Sequence, residues 1–306
     1  MTRHARLAAL GGALCIAFSG IFFRFSGTTP ATATVFRCLY ALPFLGLVAL
    51  GERRRLGPFG GRAHAVGAVA GIFFALDLLL WQHAVLQVGA GLATVTANLQ
   101  VVVVAAAAWA VLGERPSRSI LVAIPVMLVG VGLISGILGA HPYGADPRLG
   151  VLMGAGSAIA YGGFLLLTRQ LNVGGPRPAT VLFDATAAAA AAGAVLGTLL
   201  GEFDPVPAWP AHGWLVLVAL TSQVGGYLLI SSSLPRLPAA LTSSILLAQP
   251  IATVALAAVL LGESPSIFQL GGVALVILGL AVATTRPAVR PVARGPIPEV
   301  EGAPLA

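Results

Sequence analysis

Apolar stretches of near 20 residues follow one another along most of the chain, with short polar turns between them. An α-helix rises 1.5 Å per residue, so about 20 apolar residues cross the ~30 Å hydrocarbon core of a bilayer. The pattern therefore predicts an all-α membrane protein with ten transmembrane helices. The predicted bounds are about 7–25, 32–50, 64–86, 91–112, 118–138, 149–171, 179–200, 212–234, 238–261 and 266–285.

The composition supports a lipid environment, because 58% of the residues are hydrophobic and only 9% are charged. Soluble globular chains are about 25% charged, so this chain has too little polar surface for a water-soluble globule. All 17 basic residues are arginines. The absence of lysine excludes a lysine-dependent phosphate-binding loop and a Schiff-base enzyme.

The two ends of the chain need separate interpretation. The first apolar stretch follows Arg3 and Arg6 and precedes a weak cleavage-like site at 31–33, so it also fits a signal peptide. We interpret it as a membrane helix, because its removal would break the internal repeat described below. Residues 286–306 are rich in Pro, Arg and Glu without an apolar period, which predicts a disordered cytoplasmic tail.

The arginines predict the orientation, because cytoplasmic loops of membrane proteins retain positive charge. With the N-terminus inside, the cytoplasmic segments hold fourteen arginines and the opposite loops hold only Arg148. The other two, Arg24 and Arg37, lie within spans. We therefore expect a multi-pass protein of a bacterial-type inner membrane with both termini in the cytoplasm.

An internal repeat links the two halves of the chain. Residues 88–117 align without gaps to residues 237–266, at an offset of 149 and with ten of thirty pairs identical. The informative pairs are Gln100 with Gln249, Gly113 with Gly262, Glu114 with Glu263, Pro116 with Pro265, and Ser117 with Ser266. Each half holds five helices, an odd number, so equivalent helices must run in opposite directions. The predicted units are residues 1–138 and 149–285.

The repeated block, with its central Gln and terminal Leu-Gly-Glu-x-Pro-Ser, resembles the EamA-type repeat of the drug/metabolite transporter superfamily. The resemblance covers residues 7–285 and includes Arg37 and the stretch Ala-Leu-Asp-Leu-Leu-Leu-Trp-Gln-His at 75–83. It implies a secondary transporter of amino acids, other metabolites or toxic amphiphiles, exported more often than imported. Two departures imply a less symmetric cavity: Val101 stands opposite Pro250, and Asp184 lies near the position equivalent to Arg37.

Four polar residues are predicted to face one central cavity: Arg37, Asp77, Asn98 and Gln100. A charge at the middle of a membrane helix costs at least ~2.5–3.5 kcal/mol on insertion scales, so Asp77 needs a partner, water or a function. We hypothesise that Asp77 binds a cation or carries a proton and that Arg37 binds a carboxylate. The alternative is a static ion pair between Asp77 and Arg37 that only fixes helix packing.

Further candidates lie on the third, eighth and ninth helices. Trp81 is four residues from Asp77 and shares its helix face, where it could stack on a solute or serve in packing. His83 points elsewhere and is either a proton relay or an interface histidine. Tyr227 adds a polar group to the eighth helix. Gln249 precedes Pro250, which bends the helix and exposes carbonyl groups to a cavity.

Other ionisable groups are interpreted as structural. Asp184 is predicted to pair with Arg169 or Arg177. Glu114 and Glu263 lie at helix ends beside Pro and Ser, which is typical of a turn followed by a Ser-capped helix. Cys15 and Cys38 lie in or beside apolar spans and are expected to pack as small hydrophobic residues.

Alternative functions remain at this stage. A flippase for a lipid-linked head group would need a lateral opening, and a non-transporting partner subunit would show no solute flux. An enzyme is disfavoured, because only His83 of the five histidines lies well inside a span. We predict no metal and no cofactor; the expected partners are a small-molecule solute and the lipid bilayer, not nucleic acid, and a homodimer stays open.

Overall fold

The computed structural model describes residues 2–113, 116–138, 141–172, 177–233 and 245–284, and all regular structure within these ranges is helical. Eight helices are long and apolar enough to cross a membrane, and two are shorter. We number them α1 (His4–Ser26), α2 (Pro30–Leu56), α3 (Gly61–Val88), α4 (Ala90–Ala110), α5 (Arg118–Ile134), α6 (Pro147–Leu171), α7 (Pro178–Leu200), α8 (Trp209–Ile230), α9 (Ala248–Leu261) and α10 (Ile267–Thr284).

This arrangement confirms the predicted all-α fold with ten helices, although several helix ends differ from the prediction. Helices α2, α6 and α7 begin one or two residues early because proline occupies their first turn, where its missing N–H leaves no bond unmade. Helix α5 ends at Ile134 instead of 138, since Gly136 turns the chain with a left-handed φ of 74°. The predicted start of α9 and the predicted tail lie outside the described residues.

Three helices are irregular near the middle of the membrane. Helix α1 is interrupted at Phe18, and α4 is interrupted between Ala97 and Gln100. Helix α8 contains a π-helical segment over Ala219–Gly226. Irregular backbone at membrane depth is tolerated where it is buried in protein or lines a cavity, and these three interruptions surround the central cavity described below.

Helices from the two halves of the chain pack closely where glycines remove the side chain. A Cβ atom built on Gly71 of α3 would lie 2.4 Å from the carbonyl oxygen of Ala185 in α7. Between α5 and α10, a Cβ on Gly272 would lie 2.4 Å from the carbonyl oxygen of Gly130. Such distances are impossible for any larger residue, so these contacts depend on glycine.

Equivalent helices of the two halves run antiparallel. The carboxylate of Glu52, at the end of α2, contacts the first residues of α7, while the carbonyl of Glu202, just after α7, contacts Thr29 and Thr32 at the start of α2. We refer to the side on which α1 begins and α2 ends as the N-face, and to the other side as the opposite face.

Candidate functional site

A cavity of about 530 Å³ lies at the centre of the helix bundle. Its wall includes every side chain that the sequence predicted to contact a solute: Arg37, Asp77, Trp81, Asn98, Gln100, Tyr227 and Gln249. The wall continues to the N-face, where Asn172 ends α6 and Pro178 begins α7. The structure thus brings the predicted residues together, and their role in binding stays a prediction.

Asp77 of α3 is buried, with 8% of its surface exposed. The hydroxyl of Ser157, on the neighbouring helix α6, donates a hydrogen bond of 2.6 Å to Oδ1 of Asp77. This bond holds the carboxyl group of Asp77 against α6. The hydroxyl is neutral, so the charge of Asp77 is not compensated by this partner.

Arg37 of α2 is buried with 4% exposed and is held by neutral acceptors. Its Nε donates to Oε1 of Gln223 at 3.2 Å, and its Nη1 donates to Oγ of Ser19 at 3.2 Å. Gln223 is oriented in turn, since its amide donates to the hydroxyl of Thr186 at 3.1 Å. The ion pairs recorded in the described residues do not include one between Arg37 and Asp77. The static pair that was the alternative interpretation is therefore not formed.

The interruption of α4 brings two amides to the cavity. The side-chain amide of Asn98 donates to the carbonyl oxygen of Thr94 at 2.8 Å, which satisfies part of the broken helix. Oε1 of Gln100 is buried, and it finds no hydrogen-bond partner in the part of the chain that the structure describes. A buried acceptor without a partner costs about 1–3 kcal/mol, so Gln100 is a ready acceptor for a donor on a solute.

An aromatic wall faces the charged residues. Phe74 stacks on Phe164 with ring centroids 4.8 Å apart, and Tyr161 stacks on Phe164 at 5.6 Å. The hydroxyls of Tyr161 and Tyr227 lie 3.1 Å apart and form a hydrogen bond. Rings in such positions provide apolar surface for a solute and negative faces for a cation.

Several residues of this site were missed by the sequence analysis, namely Ser19, Ser157, Tyr161 and Gln223. Each is a polar side chain inside an otherwise apolar span, which is a detectable signal. The signal is weak, because small hydroxyl residues in membrane helices usually serve packing. Hydrogen bonds to Arg37 or Asp77 distinguish Ser19, Ser157 and Gln223, and a hydrogen bond to Tyr227 distinguishes Tyr161.

His83 lies outside the cavity wall, as its spacing from Asp77 predicted. Its Nδ1 lies 2.8 Å from the carbonyl oxygen of Leu79 and its Nε2 lies 3.0 Å from Oε1 of Glu202. A carbonyl only accepts, so Nδ1 carries a proton, and Nε2 faces a carboxylate. His83 thus connects α3 to the segment after α7 on the opposite face.

The predicted pairing of Asp184 with an arginine is wrong. Oδ2 of Asp184 lies 2.7 Å from Nδ1 of His64 on α3, a residue that the sequence analysis did not consider as its partner. Arg177 instead donates from Nη1 to the carbonyl oxygen of Gly57 at 2.7 Å and also donates from Nη2 to that of Leu56. The α3–α7 spacing explains the difference, because a Cβ on Gly67 would lie 2.9 Å from the Cβ of Asp184.

The carboxylates of Glu52, near the end of α2, and of Glu263, just after α9, each cap the start of another helix. Glu263 accepts hydrogen bonds from the backbone N–H groups of Ala90 (2.6 Å) and Gly91 (3.2 Å), at the start of α4. Burial raises the pKa of Glu263, and these two N–H groups oppose that rise. Glu52 accepts in the same way from Ala179 (3.0 Å) and Thr180 (2.8 Å). Glu114, the repeat partner of Glu263, lies outside the described residues.

A sequence signal for the second of these caps was also missed. Leu-Gly-Glu occurs at 50–52 and again at 200–202, and Pro-Ala-Thr occurs at 30–32 and again at 178–180. Glu52 caps the second Pro-Ala-Thr, so symmetry would place Glu202 on the first. The carboxylate of Glu202 contacts His83 instead, and its Oε2 is buried without a partner among the described residues.

No group of three His, Cys, Asp or Glu side chains within the described ranges is close enough to hold a metal ion. The chemistry of the central cavity is therefore that of its charges, amides and rings. A cavity of this kind recognises a solute by hydrogen bonds and charge.

The profile of the EamA-like transporter family matches residues 4–136 and matches again residues 148–285. The chain belongs to the EamA-like transporter family. This EamA-like protein is 27% identical over 290 residues to the uncharacterized transporter YcbK of Bacillus subtilis (strain 168), with 88% of this chain and 90% of the relative covered. It is 28% identical over 188 residues to the uncharacterized transporter YwfM of the same strain, with 58% and 59% covered.

A solved crystal structure shares the fold of this EamA-like chain. The TM-score is 0.61, with 17% sequence identity and with 93% of this chain and 98% of that chain covered. The family match and the transporter-named relatives identify a multi-pass membrane transporter. The setting agrees with a bacterial plasma membrane.

Proposed function

We propose that the protein is a secondary transporter that carries a small organic solute with a cationic and an anionic group through the central cavity. The observation that supports this most strongly is the pair of buried opposite charges, Asp77 and Arg37, each bonded to neutral side chains. An amino acid or a related zwitterionic metabolite has the matching groups. Its amine would bind Asp77 and its carboxylate would bind Arg37.

The energetics favour a ligand in this place. Each buried charge is expensive in the membrane, and a neutral hydrogen-bond partner offsets only part of that cost. A zwitterion supplies both counter-charges at once, and the unpartnered Oε1 of Gln100 accepts a further donor. The cavity volume of about 530 Å³ lies within the ~300–1,000 Å³ that is typical of small-ligand sites.

We propose export as the direction, as the family resemblance implies, and the arginine asymmetry favours a cytoplasmic N-face. The cavity wall reaches that face at Asn172 and Pro178, which supports entry of the solute from the cytoplasm. On the opposite face, Glu263 caps α4 and joins the two repeats. This arrangement fits an inward-facing state, and in the proposed cycle release follows when the two repeats rock about the cavity.

Proton coupling follows from the chemistry of Asp77. A carboxylate binds either a proton or the cationic group of a solute, so release of the solute to the outside leaves Asp77 free to take up a proton. Return of the protonated carrier then delivers that proton to the cytoplasm. In this scheme proton entry drives export, and His83 has no part in the exchange because it lies outside the cavity wall.

The experiment is proton flux in liposomes made with the purified full chain, read by an internal pH-sensitive dye. The probes are the twenty common amino acids and a set of quaternary ammonium amphiphiles. We expect at least one solute class to produce coupled proton movement with the natural protein and with Asp184→Asn, which removes a carboxylate outside the cavity. Asp77→Asn should abolish that movement, and coupling that survives in Asp77→Asn would refute Asp77 as the carrier.

A further inference from the structure

A second cavity, of about 340 Å³, lies at the N-face between α2, α3 and α7. It shares no lining residue with the central cavity, since Arg177, Thr180, Phe183 and Asp184 line it on α7. The α2 side of the cavity comes from the first repeat and the α7 side from the second. A ligand here would contact both repeats without entering the transport site.

The wall of this cavity changes from apolar to cationic along α2. Gly46, Ala49 and Leu50 form its deeper part, and Arg53 lies one turn nearer the N-face on the same side of the helix. The ring of Phe183 on α7 lies 3.3 Å from where a Cβ of Gly46 would be, so glycine keeps this depth open.

The apolar part of the cavity borders the lipid-facing surface. Leu47 is 70% exposed and Leu50 is 51% exposed on α2. Apolar side chains that are exposed on a membrane helix contact acyl chains. The cavity is therefore continuous with surface that lipid tails cover, and its cationic end lies at the level of the head groups.

The charges at the cationic end sum to a positive excess. The titratable groups that line the cavity are Arg53, His64, Arg177 and Asp184. Asp184 is engaged by His64 at 2.7 Å, and the adjacent carboxylate of Glu52 is engaged by the N–H groups of Ala179 and Thr180 and by the hydroxyl of Thr180. The two guanidinium groups remain. Arg177 is fixed by its bonds to the carbonyl oxygens of residues 56 and 57 and by the ring of Phe59, 5.5 Å away.

Arg53 is the available cation of this cavity. It is exposed, and the ion pairs recorded for the described residues do not include it. Its neighbours Arg54 and Arg55 are also exposed, but neither lines the cavity. The cavity thus combines one fixed and one accessible guanidinium with an apolar channel.

We propose that this cavity binds one anionic phospholipid from the leaflet on the N-face. The phosphate lies between Arg53 and Arg177, and one acyl chain lies along Gly46, Ala49 and Phe183. Basic pockets between membrane helices at this level suit acidic head groups, and guanidinium groups bind phosphate through paired hydrogen bonds. The bound lipid fastens α2 of one repeat to α7 of the other. A free phosphate ion would occupy the cationic end only.

The test is native mass spectrometry of the purified full chain in detergent, with dioleoyl phosphatidylglycerol, dioleoyl phosphatidylcholine or inorganic phosphate added. We expect one retained phosphatidylglycerol, with phosphatidylcholine and phosphate retained at least about tenfold less. Arg53→Ala should reduce retention of phosphatidylglycerol by about tenfold. Arg54→Ala and Arg55→Ala are the matched controls, because each removes the same charge from the same exposed turn, and both should retain the lipid.

A second variant tests the acyl-chain part of the proposal. Gly46→Leu fills the deeper part of the cavity and should lower retention of phosphatidylglycerol while the monomer mass and circular dichroism stay unchanged. Equal retention by Arg53→Ala and Arg54→Ala would overturn the site. Retention of phosphatidylcholine or free phosphate at the level of phosphatidylglycerol would overturn the assignment of an anionic lipid.

Discussion

The two repeats line the same central cavity with different chemistry. Helices α2 and α3 of the first repeat contribute the buried charged groups Arg37 and Asp77. Helices α6, α8 and α9 contribute the neutral groups Tyr161, Tyr227 and Gln249, together with Arg169, which is exposed at the N-face end of the wall. Equivalent helices therefore need not keep equivalent polar groups. The difference indicates that the buried charges of the cavity come from the first repeat, whereas the second repeat contributes no buried charge to it.

The offset of 149 residues between the two repeats shows which polar positions of the cavity differ between them. Gln100 and Gln249 stay matched at an offset of 149, and both line the cavity. At the same offset Asp77 corresponds to Gly226, inside the π-helical segment of α8. The Pro-Ala-Thr and Leu-Gly-Glu motifs of α2 and α7 pair at offsets of 148 and 150, which places Arg37 opposite residues 185–187, with Thr186 among them. Thr186 accepts from Gln223, the residue that holds Arg37, so the second repeat supports the charge of the first.

The largest effect is expected from removing the charge of the first repeat at Arg37. Arg37→Gln should weaken transport of a carboxylate-bearing solute by about 100-fold, because a charge-assisted hydrogen bond in a buried site is lost. An analogue without the carboxylate should lose much less. The measurement is the KM for uptake into inverted liposomes, and an equal loss for both solutes would show that Arg37 only supports the fold.

Gln100 and Gln249 occupy matched positions in the two repeats, so substituting each of them compares the two repeats directly. Gln100→Ala should raise the KM by about tenfold, since its unpartnered Oε1 can accept a hydrogen bond from a donor on the solute. Gln249→Ala should have a smaller effect, because it belongs to the repeat that contributes no buried charge to the cavity. Transport assays on both variants side by side check this order. A larger effect at Gln249 would reverse the proposed division between the repeats.

The neutral side of the cavity is tested by Tyr161→Phe, which removes one hydroxyl of the 3.1 Å pair with Tyr227. We expect a loss of about fivefold in uptake, corresponding to about 1 kcal/mol for a neutral hydrogen bond. Tyr143→Phe, on the segment between α5 and α6 and outside the cavity wall, serves as the control. An unchanged rate in Tyr161→Phe would remove this hydroxyl from the site.

The smallest expected effect concerns the cap between the repeats at Glu263. Its folded-state pKa is raised above the ordinary value of 4.5, chiefly by burial, so the native protein holds the proton more tightly than the unfolded chain. This contribution to stability is fully present below 4.5 and is lost as the pH rises through the raised pKa. Thermal melting of the purified protein should therefore show a small pH-dependent decrease that Glu263→Gln lacks. A parallel pH profile for the two proteins would contradict this sign.

The fold was predictable because lipid requires long apolar helices, and eight of the ten apolar helices in the described residues are long enough to cross a membrane. The cavity was predictable for similar reasons: Asp77 and Arg37 stand out in apolar spans, and helical spacing separates Trp81 from His83. Partners across helices were not predictable. His64 beside Asp184, and Gln223 beside Arg37, depend on which helices pack together, and no pattern within one helix contains that information.

The interruptions of the helices were also missed. The break at Phe18 had only a weak signal in the Ser19-Gly20 pair that follows it. The break after Ala97 had a weak signal in Asn98, whose amide bonds back to the carbonyl of Thr94. A membrane helix can be interrupted where packing against other helices satisfies the freed carbonyl groups. Whether this happens depends on the assembled bundle and not on the sequence of one helix.

The most direct measurement is calorimetric binding of the transported solute to the purified protein, in two buffers of different ionisation enthalpy. Occupation of the cavity by the solute's cationic group predicts saturable binding, with a proton release from Asp77 that falls from about one to none as the pH rises through the range in which the empty site ionises. Asp77→Asn should bind at least about 100-fold more weakly and release no proton, whereas Asp184→Asn should match the natural protein. Full-strength binding to Asp77→Asn, with its proton release intact, would contradict the proposal.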